Sequence, residues 1–272
     1  MNQQIIAFIG GGNMAKAMVG GLCKNGFTAD HILVIEPNET NRQSLASEFG
    51  VQVFDKANPV LQSANLVIWA VKPQVFKEAA ELTLPYLAQP LHLSIAAGIT
   101  LSTMASSLQS QQLIRAMPNT PALIGLGMTG LVALSSVTEA QKQWVAEIVA
   151  TLGQSIWVEQ ENLIDAVTAV SGSGPAYVFY FLEAMTEAGV GMGLSTEQAY
   201  QLAVATFSGA ASLAAASAES PEVLRQRVTS KGGTTYAAIT AMEAAGIKAS
   251  FVKAMQAAEQ RARELGDEFG KA

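Results

Sequence analysis

The feature that most constrains this chain is a glycine-rich turn that directly follows an apolar run near its start. The run Ile5–Ile9 leads into Gly10-Gly11-Gly12-Asn13-Met14-Ala15. In a Gly-x-Gly-x-x-Ala turn, the first glycine permits a tight bend, the second lets the backbone approach a pyrophosphate, and the small third residue lets a helix pack on the strand. The sequence therefore predicts a bound dinucleotide, with the amides of Asn13 and Met14 facing its phosphates.

Short apolar runs alternate with helical patterns through the first half, which is typical of βαβ units around a parallel sheet. The expected strands are Ile5–Ile9, Ile32–Ile35, Val51–Phe54, Leu66–Val71, His92–Ile95, Leu113–Ala116 and Gly130–Leu134. After Trp157 the sequence predicts helices alone: Asn162–Val170, Pro175–Val190, Thr196–Ala218, Pro221–Thr229, Thr235–Ala245 and Lys248–Phe269. We therefore expect an α/β Rossmann-type dinucleotide-binding domain over residues 1–159 and an all-α domain over residues 160–272.

Composition excludes several classes of function. The net charge of −6 offers no electrostatic footprint for nucleic acid or an anionic membrane. The single cysteine, Cys23, and the spacing of the histidines indicate no metal site and no disulfide. We expect a cytoplasmic protein, because the first strand begins too early to leave room for a signal peptide. The small-residue helices of the second half predict a homodimer, with a monomeric bundle as the alternative.

The second predicted strand ends in Glu36-Pro37-Asn38, where the preference between NAD and NADP is usually set. A carboxylate at this position usually accepts the adenosine ribose hydroxyls, so Glu36 favours NAD. Against this, Asn38, Thr40, Asn41 and Arg42 are placed to contact a 2′-phosphate, with Arg42 supplying the charge. These residues alone leave the choice of cofactor open.

Three further strand ends fall at the edge of the sheet where α/β proteins bind ligands. The fourth strand runs into Ala70-Val71-Lys72-Pro73, whose proline turns the chain and leaves the Lys72 backbone beside the cofactor. The fifth leads into Ala96-Ala97-Gly98. The sixth leads into the rigid segment Arg115–Pro121, where Arg115 has either a catalytic role or a role in a structural ion pair.

Two glycine-rich segments interrupt the helical half. Ser171–Tyr177 breaks a helix, and its proline is well placed to begin the next one. In Val228–Thr235 a Gly-Gly turn opens a helix, which offers free amides to a carboxylate, while Ser230, Thr234 and Thr235 add hydroxyls. Such a loop suits a small anionic substrate, although helix capping alone also explains it.

Taken together, these motifs resemble those of the pyrroline-5-carboxylate reductase family over essentially the whole chain. The resemblance rests on Phe8–Met14, Ala70–Pro73, Arg115–Pro121 and Ser171–Tyr177, and most specifically on Pro221–Glu243 around Ser230–Thr235. It implies NAD(P)H-dependent reduction of 1-pyrroline-5-carboxylate to L-proline, the last step of proline biosynthesis. It also implies a homodimer, and it leaves any further assembly open.

The resemblance also implies a role for individual residues. Its cofactor contacts fall on Gly10, Gly12, Asn13, Met14, Asn58, Ala70, Lys72, Pro73, Ala96 and Ala97, beside Glu36 and Asn38 from the strand-end argument. Asn58 has helix capping as an alternative role. The substrate carboxylate would meet Ser230, Gly233 and Thr234, and Thr235 would reach the ring nitrogen as the catalytic residue. The family favours NADP, which we expect here with NAD as the alternative. Lys231 departs from the family, whose members often have proline there.

Two other classes remain as alternatives. A β-hydroxyacid dehydrogenase has a similar two-domain plan but uses a helical lysine, and no lysine lies between Lys142 and Lys231. A non-catalytic, nucleotide-sensing dimer would need the Gly10 turn but not the Ser230–Thr235 loop. Imine reduction needs little acid catalysis, because the substrate can enter protonated. The lack of a well-placed histidine or carboxylate pair therefore favours it over alcohol oxidation.

Overall fold

A computed structural model describes residues 4–271, which form two compact units. The sheet unit comprises the chain up to Ser173 together with the stretch from Ala258 onward, and the helical unit comprises Gly174–Ala257. The predicted border after residue 159 falls inside the sheet unit, because Ile164 is buried in that unit's core. The sequence did not indicate that the chain returns to the sheet unit at Ala258.

The sheet unit is built on eight strands in the order β3-β2-β1-β4-β5-β6-β7-β8. The strands are β1 (Ile6–Ile9), β2 (Ile32–Ile35), β3 (Gln52–Phe54), β4 (Leu66–Trp69), β5 (Leu91–Ser94), β6 (Leu113–Met117), β7 (Gly127–Ala133) and β8 (Gly153–Trp157). All neighbours pair in parallel except β6 and β7. The carboxyl ends of β1 to β6 therefore meet at one edge of the sheet, as expected for a Rossmann-type fold.

Helices cover both faces of this sheet. They are α1 (Asn13–Lys24), α2 (Glu39–Phe49), α3 (Phe76–Thr83), α4 (Leu101–Leu108), α5 (Glu139–Ala150) and α6 (Leu163–Val167). Side chains of α1, α2 and α5 pack on the face that includes Ile6 and Phe8, and side chains of α3, α4 and α6 pack on the face that includes Ala7 and Ile9. Successive strand residues point to opposite faces, so β1 is apolar throughout.

The structure confirms the seven predicted strands within a few residues and adds one. Strand β8 was not predicted, because its Gln154 and Ser155 interrupt the apolar pattern of a buried strand. It lies at the edge of the sheet and pairs only with β7. Gly153 has φ +134°, and a Cβ there would lie 2.2 Å from the Gly127 carbonyl oxygen. The pairing of β8 with β7 therefore begins where only glycine fits.

The helical unit contains α7 (Gly174–Gly191), α8 (Thr196–Ala216), α9 (Pro221–Arg227), α10 (Thr234–Ala244) and the start of α11 (Ile247–Lys271). Each was predicted within a few residues. Before α7, Thr168–Gly172 form a π-helical turn, whereas the sequence predicted a helix break in the segment Ser171–Tyr177. Helices α7 and α8 pack closely, since a Cβ on Gly189 would lie 2.8 Å from that of Ala199.

Burial in the helical unit falls mainly on small residues, such as Gly189, Ala199 and Ala203. Its large apolar side chains are mostly exposed, among them Phe179, Tyr180, Met192, Tyr200, Leu202 and Leu213. The helical unit therefore leaves most of its apolar surface uncovered. Among the described residues, no helix is long and apolar enough to cross a membrane.

The C-terminal part of α11 packs on the loop that follows β5. Gly98, in that loop, has φ +78°, and a Cβ there would lie 2.8 Å from Cδ2 of Phe269. Phe269 also packs against the core cluster that contains Ile99 and Leu101. The end of α11 is therefore an integral part of the sheet unit.

Candidate functional site

The glycine turn between β1 and α1 adopts the geometry that its spacing predicts. Gly10 has φ +99°, and a Cβ there would lie 2.6 Å from the Ala70 carbonyl oxygen, so the bend requires glycine. Gly12 begins α1 without a side-chain cap, and a Cβ on it would meet nothing within 4 Å. The first-turn amides of Asn13 and Met14 have no side-chain acceptor among the described residues, so this helix end is free to receive an anion.

A cavity of about 650 Å³ opens beside this turn, at the carboxyl ends of the parallel strands. Among the predicted cofactor residues, those that line it are Gly10, Gly12, Glu36, Ala70 and Lys72. Asn13, Met14, Asn38, Asn58, Pro73, Ala96 and Ala97 do not line it, although they lie at the same edge of the sheet or in the turns that follow it. The structure therefore gathers five of the twelve predicted contacts around one space.

Glu36, at the end of β2, holds two backbone turns at once. Its Oε2 accepts a hydrogen bond from the Gly11 amide at 2.7 Å, and its Oε1 accepts one from the Asn38 amide at 2.8 Å. The residue is only 9% exposed. Leaving a buried amide unsatisfied costs roughly 1–3 kcal/mol, so the carboxylate is held where it is. The sequence did not reveal this bond to Gly11, because it joins residues far apart in the chain.

Two of the residues expected to contact a 2′-phosphate, Asn38 and Arg42, form hydrogen bonds to the backbone at the start of α2. The Asn38 side chain caps α2 by accepting a hydrogen bond from the Asn41 amide at 3.0 Å. Arg42 donates from Nη1 to the carbonyl oxygens of Glu36 at 2.7 Å and Pro37 at 2.6 Å. Asn41 lines the cavity, whereas Arg42 does not.

The segment after β3 contributes cavity residues that the sequence analysis missed. Asp55 and Lys56 are exposed and line the cavity next to Glu36 and Pro37. The strand pairing places them there, because β3 lies beside β2 and its carboxyl end meets the same edge, and the sequence alone did not give that pairing. Asn58 caps the short helix that follows, accepting from the Val60 amide at 3.1 Å, which matches its alternative role as a cap.

The ends of β4 and β5 form the other side of the site. The Ala70 amide donates to the Ile9 carbonyl at 2.8 Å, which fixes Ala70 against the Gly10 turn. Lys72 precedes the short 3-10 helix Pro73–Val75, so the proline turns the chain as predicted. After β5, the buried Ala96 donates its amide to Ser94 Oγ at 3.2 Å.

Arg115, in β6, forms a buried ion pair rather than lining the cavity. Its Nη1 donates to Glu161 Oε1 at 2.8 Å, and its Nη2 lies 3.9 Å from Asp165 Oδ1. Glu161 Oε1 also accepts from the Leu101 amide at 2.7 Å, at the start of α4. Burial raises the pKa of Asp165, and the Arg115 charge opposes that rise. The structure favours the structural interpretation of Arg115.

Asn119 anchors the proline-bounded loop that follows β6. Its Nδ2 donates to the Ser171 carbonyl oxygen at 3.2 Å and to the Ser171 hydroxyl at 3.1 Å, while its Oδ1 accepts from the Met128 amide at 2.9 Å. The loop is thereby tied to the π-helical turn and to the start of β7. The segments Arg115–Pro121 and Ser171–Tyr177, predicted separately, thus meet at Asn119 and Ser171.

In the helical unit, the Ser230–Thr235 loop forms a tight turn into α10. Gly232 has φ +80°, and the Gly233 amide donates to the Ser230 carbonyl at 3.0 Å. Gly233 begins α10 without a side-chain cap, and the side chains of Ser230, Lys231, Thr234 and Thr235 are exposed. A helix start with free amides and nearby hydroxyls is suited to hold a carboxylate.

The two histidines lie outside both the cavity and the Ser230–Thr235 loop. His92, in β5, is 2% exposed and accepts a hydrogen bond at Nδ1 from Trp69 Nε1 at 3.2 Å. Burial lowers the pKa of His92 to about 4, so the ring is neutral at pH 7. His31 Nδ1 is buried without a hydrogen-bond partner among the described residues. Within residues 4–271, no group of three His, Cys, Asp or Glu side chains could hold a metal ion.

Two family models match this chain. Residues 161–265 match the model described as pyrroline-5-carboxylate reductase dimerisation. Residues 5–98 match the model described as NADP oxidoreductase coenzyme F420-dependent. The first match covers the helical unit together with flanking parts of the sheet unit, and the second covers β1 to β5.

Relatives match over the full length. The pyrroline-5-carboxylate reductase of Pseudomonas aeruginosa is 42% identical, with 100% of both chains covered. A solved pyrroline-5-carboxylate reductase from Coxiella burnetii has a TM-score of 0.91 at 38% identity, covering 97% of this chain and 99% of that one. The Plasmodium falciparum pyrroline carboxylate reductase, solved with NADP bound, has a TM-score of 0.87 at 26% identity, covering 98% and 99%.

Proposed function

This chain belongs to the pyrroline-5-carboxylate reductase family, and we propose that it reduces 1-pyrroline-5-carboxylate to L-proline with NADPH as the hydride donor. The observation that carries this proposal is the full-length similarity to such reductases, combined with an open dinucleotide turn at Gly10–Gly12. An NADP-bound relative of the same fold supports NADP over NAD.

The described residues fit a nicotinamide dinucleotide. Gly12 leaves open space where the phosphates approach the α1 amides, and the cavity beside it is walled by the ends of β1 to β4. We assign the cofactor contacts to this edge, at Gly10, Gly12, Asn13, Met14, Asn38, Asn58, Ala70, Lys72, Pro73, Ala96 and Ala97, with Glu36 acting beside them through its hydrogen bond to the Gly11 amide. The bound cofactor supplies the hydride, and these residues hold and orient it.

The substrate belongs to the Ser230–Thr235 loop of the helical unit. In this assignment Ser230, Gly233 and Thr234 bind the carboxylate through two hydroxyls and the free amides at the start of α10. Thr235 orients the ring nitrogen, and as hydride reaches the C=N carbon its hydroxyl forms a hydrogen bond to the lone pair that develops on that nitrogen. Because the imine enters protonated, no histidine or carboxylate pair is needed.

The assembly proposed is a homodimer in the cytoplasm. The dimerisation model covers residues 161–265. The helical unit also leaves large apolar side chains exposed, which is typical of a surface that binds another protein chain. For function, we place the domain border at 159/160, close to the start of that match, even though the compact units divide at Ser173.

The test is NADPH oxidation by the purified full chain, with and without 1-pyrroline-5-carboxylate. We expect oxidation only when the imine is present. NADPH oxidation that depends instead on the oxo compound formed from a β-hydroxyacid would indicate a β-hydroxyacid dehydrogenase. NADPH binding without turnover of either compound would indicate a nucleotide sensor. Either result would contradict the proposed reaction.

The role of Thr235 is tested with the Thr235→Ala variant. We expect kcat to fall by about tenfold or more, because a hydrogen bond to the reacting nitrogen is lost in the transition state. The matched control is Thr240→Ala, an exposed threonine further along α10, which should leave kcat unchanged. Equal kcat for Thr235→Ala and the unmodified chain would exclude the role.

A further inference from the structure

We infer that Glu36 is a positioning residue for the dinucleotide turn, and that Lys56, together with Asn41, is what distinguishes NADPH from NADH in this chain. The inference rests on the proposed function, since it assumes a nicotinamide dinucleotide in the cavity beside Gly10. It reverses the expectation that the carboxylate at the end of β2 binds the adenosine ribose, and it replaces Arg42 as the source of positive charge.

Glu36 bridges two backbone turns through its carboxylate. Each of its carboxylate oxygens already accepts a backbone amide, from Gly11 on one side and Asn38 on the other. A Cβ on Gly11 would lie only 3.0 Å from the Glu36 Cβ, so the two backbones are held close together. A carboxylate that rotated away from this position would release both amides. Glu36 therefore fixes the glycine turn relative to the start of α2.

The guanidinium of Arg42 contacts the backbone and does not line the cavity. Its Nη1 donates to the carbonyl oxygens of Glu36 and Pro37, which holds the guanidinium against the backbone of the β2–α2 turn. Arg42 is also absent from the cavity lining. Its contacts are those of a residue that stabilises the turn.

Lysine side chains supply positive charge at the cavity. Two lysines line it, Lys56 after β3 and Lys72 after β4. Because the strand order is β3-β2-β1-β4, Lys56 lies on the side of β2, where the adenosine ribose of a dinucleotide binds, and Lys72 lies on the other side of the glycine turn. Lys56 is exposed and forms no ion pair within the described part of the chain.

Asn41 completes the arrangement. It lines the same cavity from the first turn of α2, beside Glu36 and Pro37. Its side-chain amide can donate to a phosphate oxygen, and the positive end of α2 favours a negative charge there. The site thus combines a lysine cation, an amide donor and the start of a helix, and all three favour a bound anion. NADPH has such an anion, its ribose 2′-phosphate, whereas the corresponding ribose of NADH carries no phosphate.

The experiment measures cofactor binding by titration calorimetry, without substrate, for the full chain and its variants. For Lys56→Gln, we expect the Kd for NADPH to rise by about tenfold, the loss of one charge-assisted contact, with the Kd for NADH unchanged. Added salt should weaken NADPH binding less in this variant than in the unmodified chain. The neighbouring Asp55→Asn, which removes a charge of the opposite sign from the same cavity, is the matched control and should not weaken NADPH binding.

For Glu36→Gln, which keeps the shape but loses one acceptor, we expect the Kd values for NADPH and NADH to rise together, by about the same few-fold factor. Loss of NADH binding alone would instead identify Glu36 as a ribose ligand and overturn the inference. An NADPH-specific loss in Arg42→Gln but not in Lys56→Gln, or tighter binding of NADH than NADPH by the unmodified chain, would also overturn it.

The cofactor affinities can be compared even if one of the Glu36 variants does not fold. If Glu36→Gln does not fold, Glu36→Asp replaces it, because the shorter side chain cannot hold both amides. The Lys56 comparison is independent of either variant. Failure of the inference appears in these cofactor affinities, whereas failure of the proposed function appears as an absence of imine-dependent NADPH oxidation by the unmodified chain.

Discussion

The sheet unit and the helical unit bury their large side chains to very different extents. In the sheet unit, Phe8 and Trp69 are completely buried, and both faces of the sheet are covered by helices of the same chain. In the helical unit, Tyr180 is 69% exposed, Met192 is 78% exposed and Leu213 is 62% exposed. The sheet unit completes its own core, whereas the helical unit, which matches a dimerisation model, leaves large apolar side chains exposed. Stability should therefore be intramolecular in one unit and shared between chains in the other.

The largest effect is expected in the core of the sheet unit. Phe8→Ala should lower the free energy of unfolding by about 3–5 kcal/mol, because it leaves a cavity among fully buried residues. Urea unfolding, followed at several protein concentrations, measures it. We expect the loss to be independent of concentration. A strongly concentration-dependent loss would mean that this core also relies on a second chain.

A second effect in the same core depends on pH. Burial lowers the pKa of His92 from its ordinary value of 6.5 to about 4, so the neutral ring contributes stability that is fully present above pH 6.5. That contribution is lost as the pH falls from 6.5 toward 4, by up to about 3 kcal/mol. Thermal unfolding between pH 7.5 and 4 measures it.

The control for this pH effect is His92→Gln, which does not titrate in the range while its side-chain oxygen can still accept the Trp69 bond. The variant should lose less stability over the same interval of pH. An identical pH profile for both proteins would place the acid sensitivity elsewhere in the molecule.

The third effect concerns the surface of the helical unit. Leu213→Ser should weaken homodimer formation by about 2 kcal/mol, roughly thirtyfold in the dimer Kd, because we expect this exposed apolar side chain to lie in the dimer interface. Sedimentation measures it across a dilution series. Leu82→Ser is the matched control, since Leu82 is 63% exposed in the sheet unit and should leave the dimer Kd unchanged. Equal effects of both changes would remove the proposed difference between the units.

The smallest effect compares two glycines with left-handed backbones. Gly232→Ala, in the Ser230–Thr235 loop, should cost about 1–2 kcal/mol, because φ is +80° and nothing lies within 4 Å of the new Cβ. Gly10→Ala should cost more, since the Ala70 carbonyl oxygen adds a clash to the same backbone strain. Urea unfolding of the two variants measures the difference. An equal cost would mean that the β1–α1 turn adjusts more easily than its packing suggests.

Much of the sheet unit followed from local chemistry. Strands buried on both faces appear in the sequence as continuous apolar runs. The dinucleotide-binding turn could be predicted from the spacing of its glycines because each of them, Gly10 and Gly12, has its own steric role. Strand β8 was missed because an edge strand with Gln154 and Ser155 shows no such run. The predicted helices followed from their periodicity, and the π-helical turn at Thr168–Gly172 did not, since it has no periodic pattern of its own.

The candidate site was predictable in its glycine turn but not in its side-chain contacts. The hydrogen bond from Gly11 to Glu36 and the position of Lys56 beside Glu36 both depend on how strands pair across the sheet. A sequence pattern identifies which residues end a strand. It does not say whether a carboxylate there will face a ligand or a neighbouring amide.

The packing of Phe269 over Gly98 has a consequence for synthesis on the ribosome. Because the last turns of α11 cover the loop that follows β5, the sheet unit cannot finish its packing until the segment through Phe269 has been translated. Contacts between segments so distant in sequence also form slowly. The packing of the nascent sheet unit therefore stays incomplete while the helical unit is synthesised.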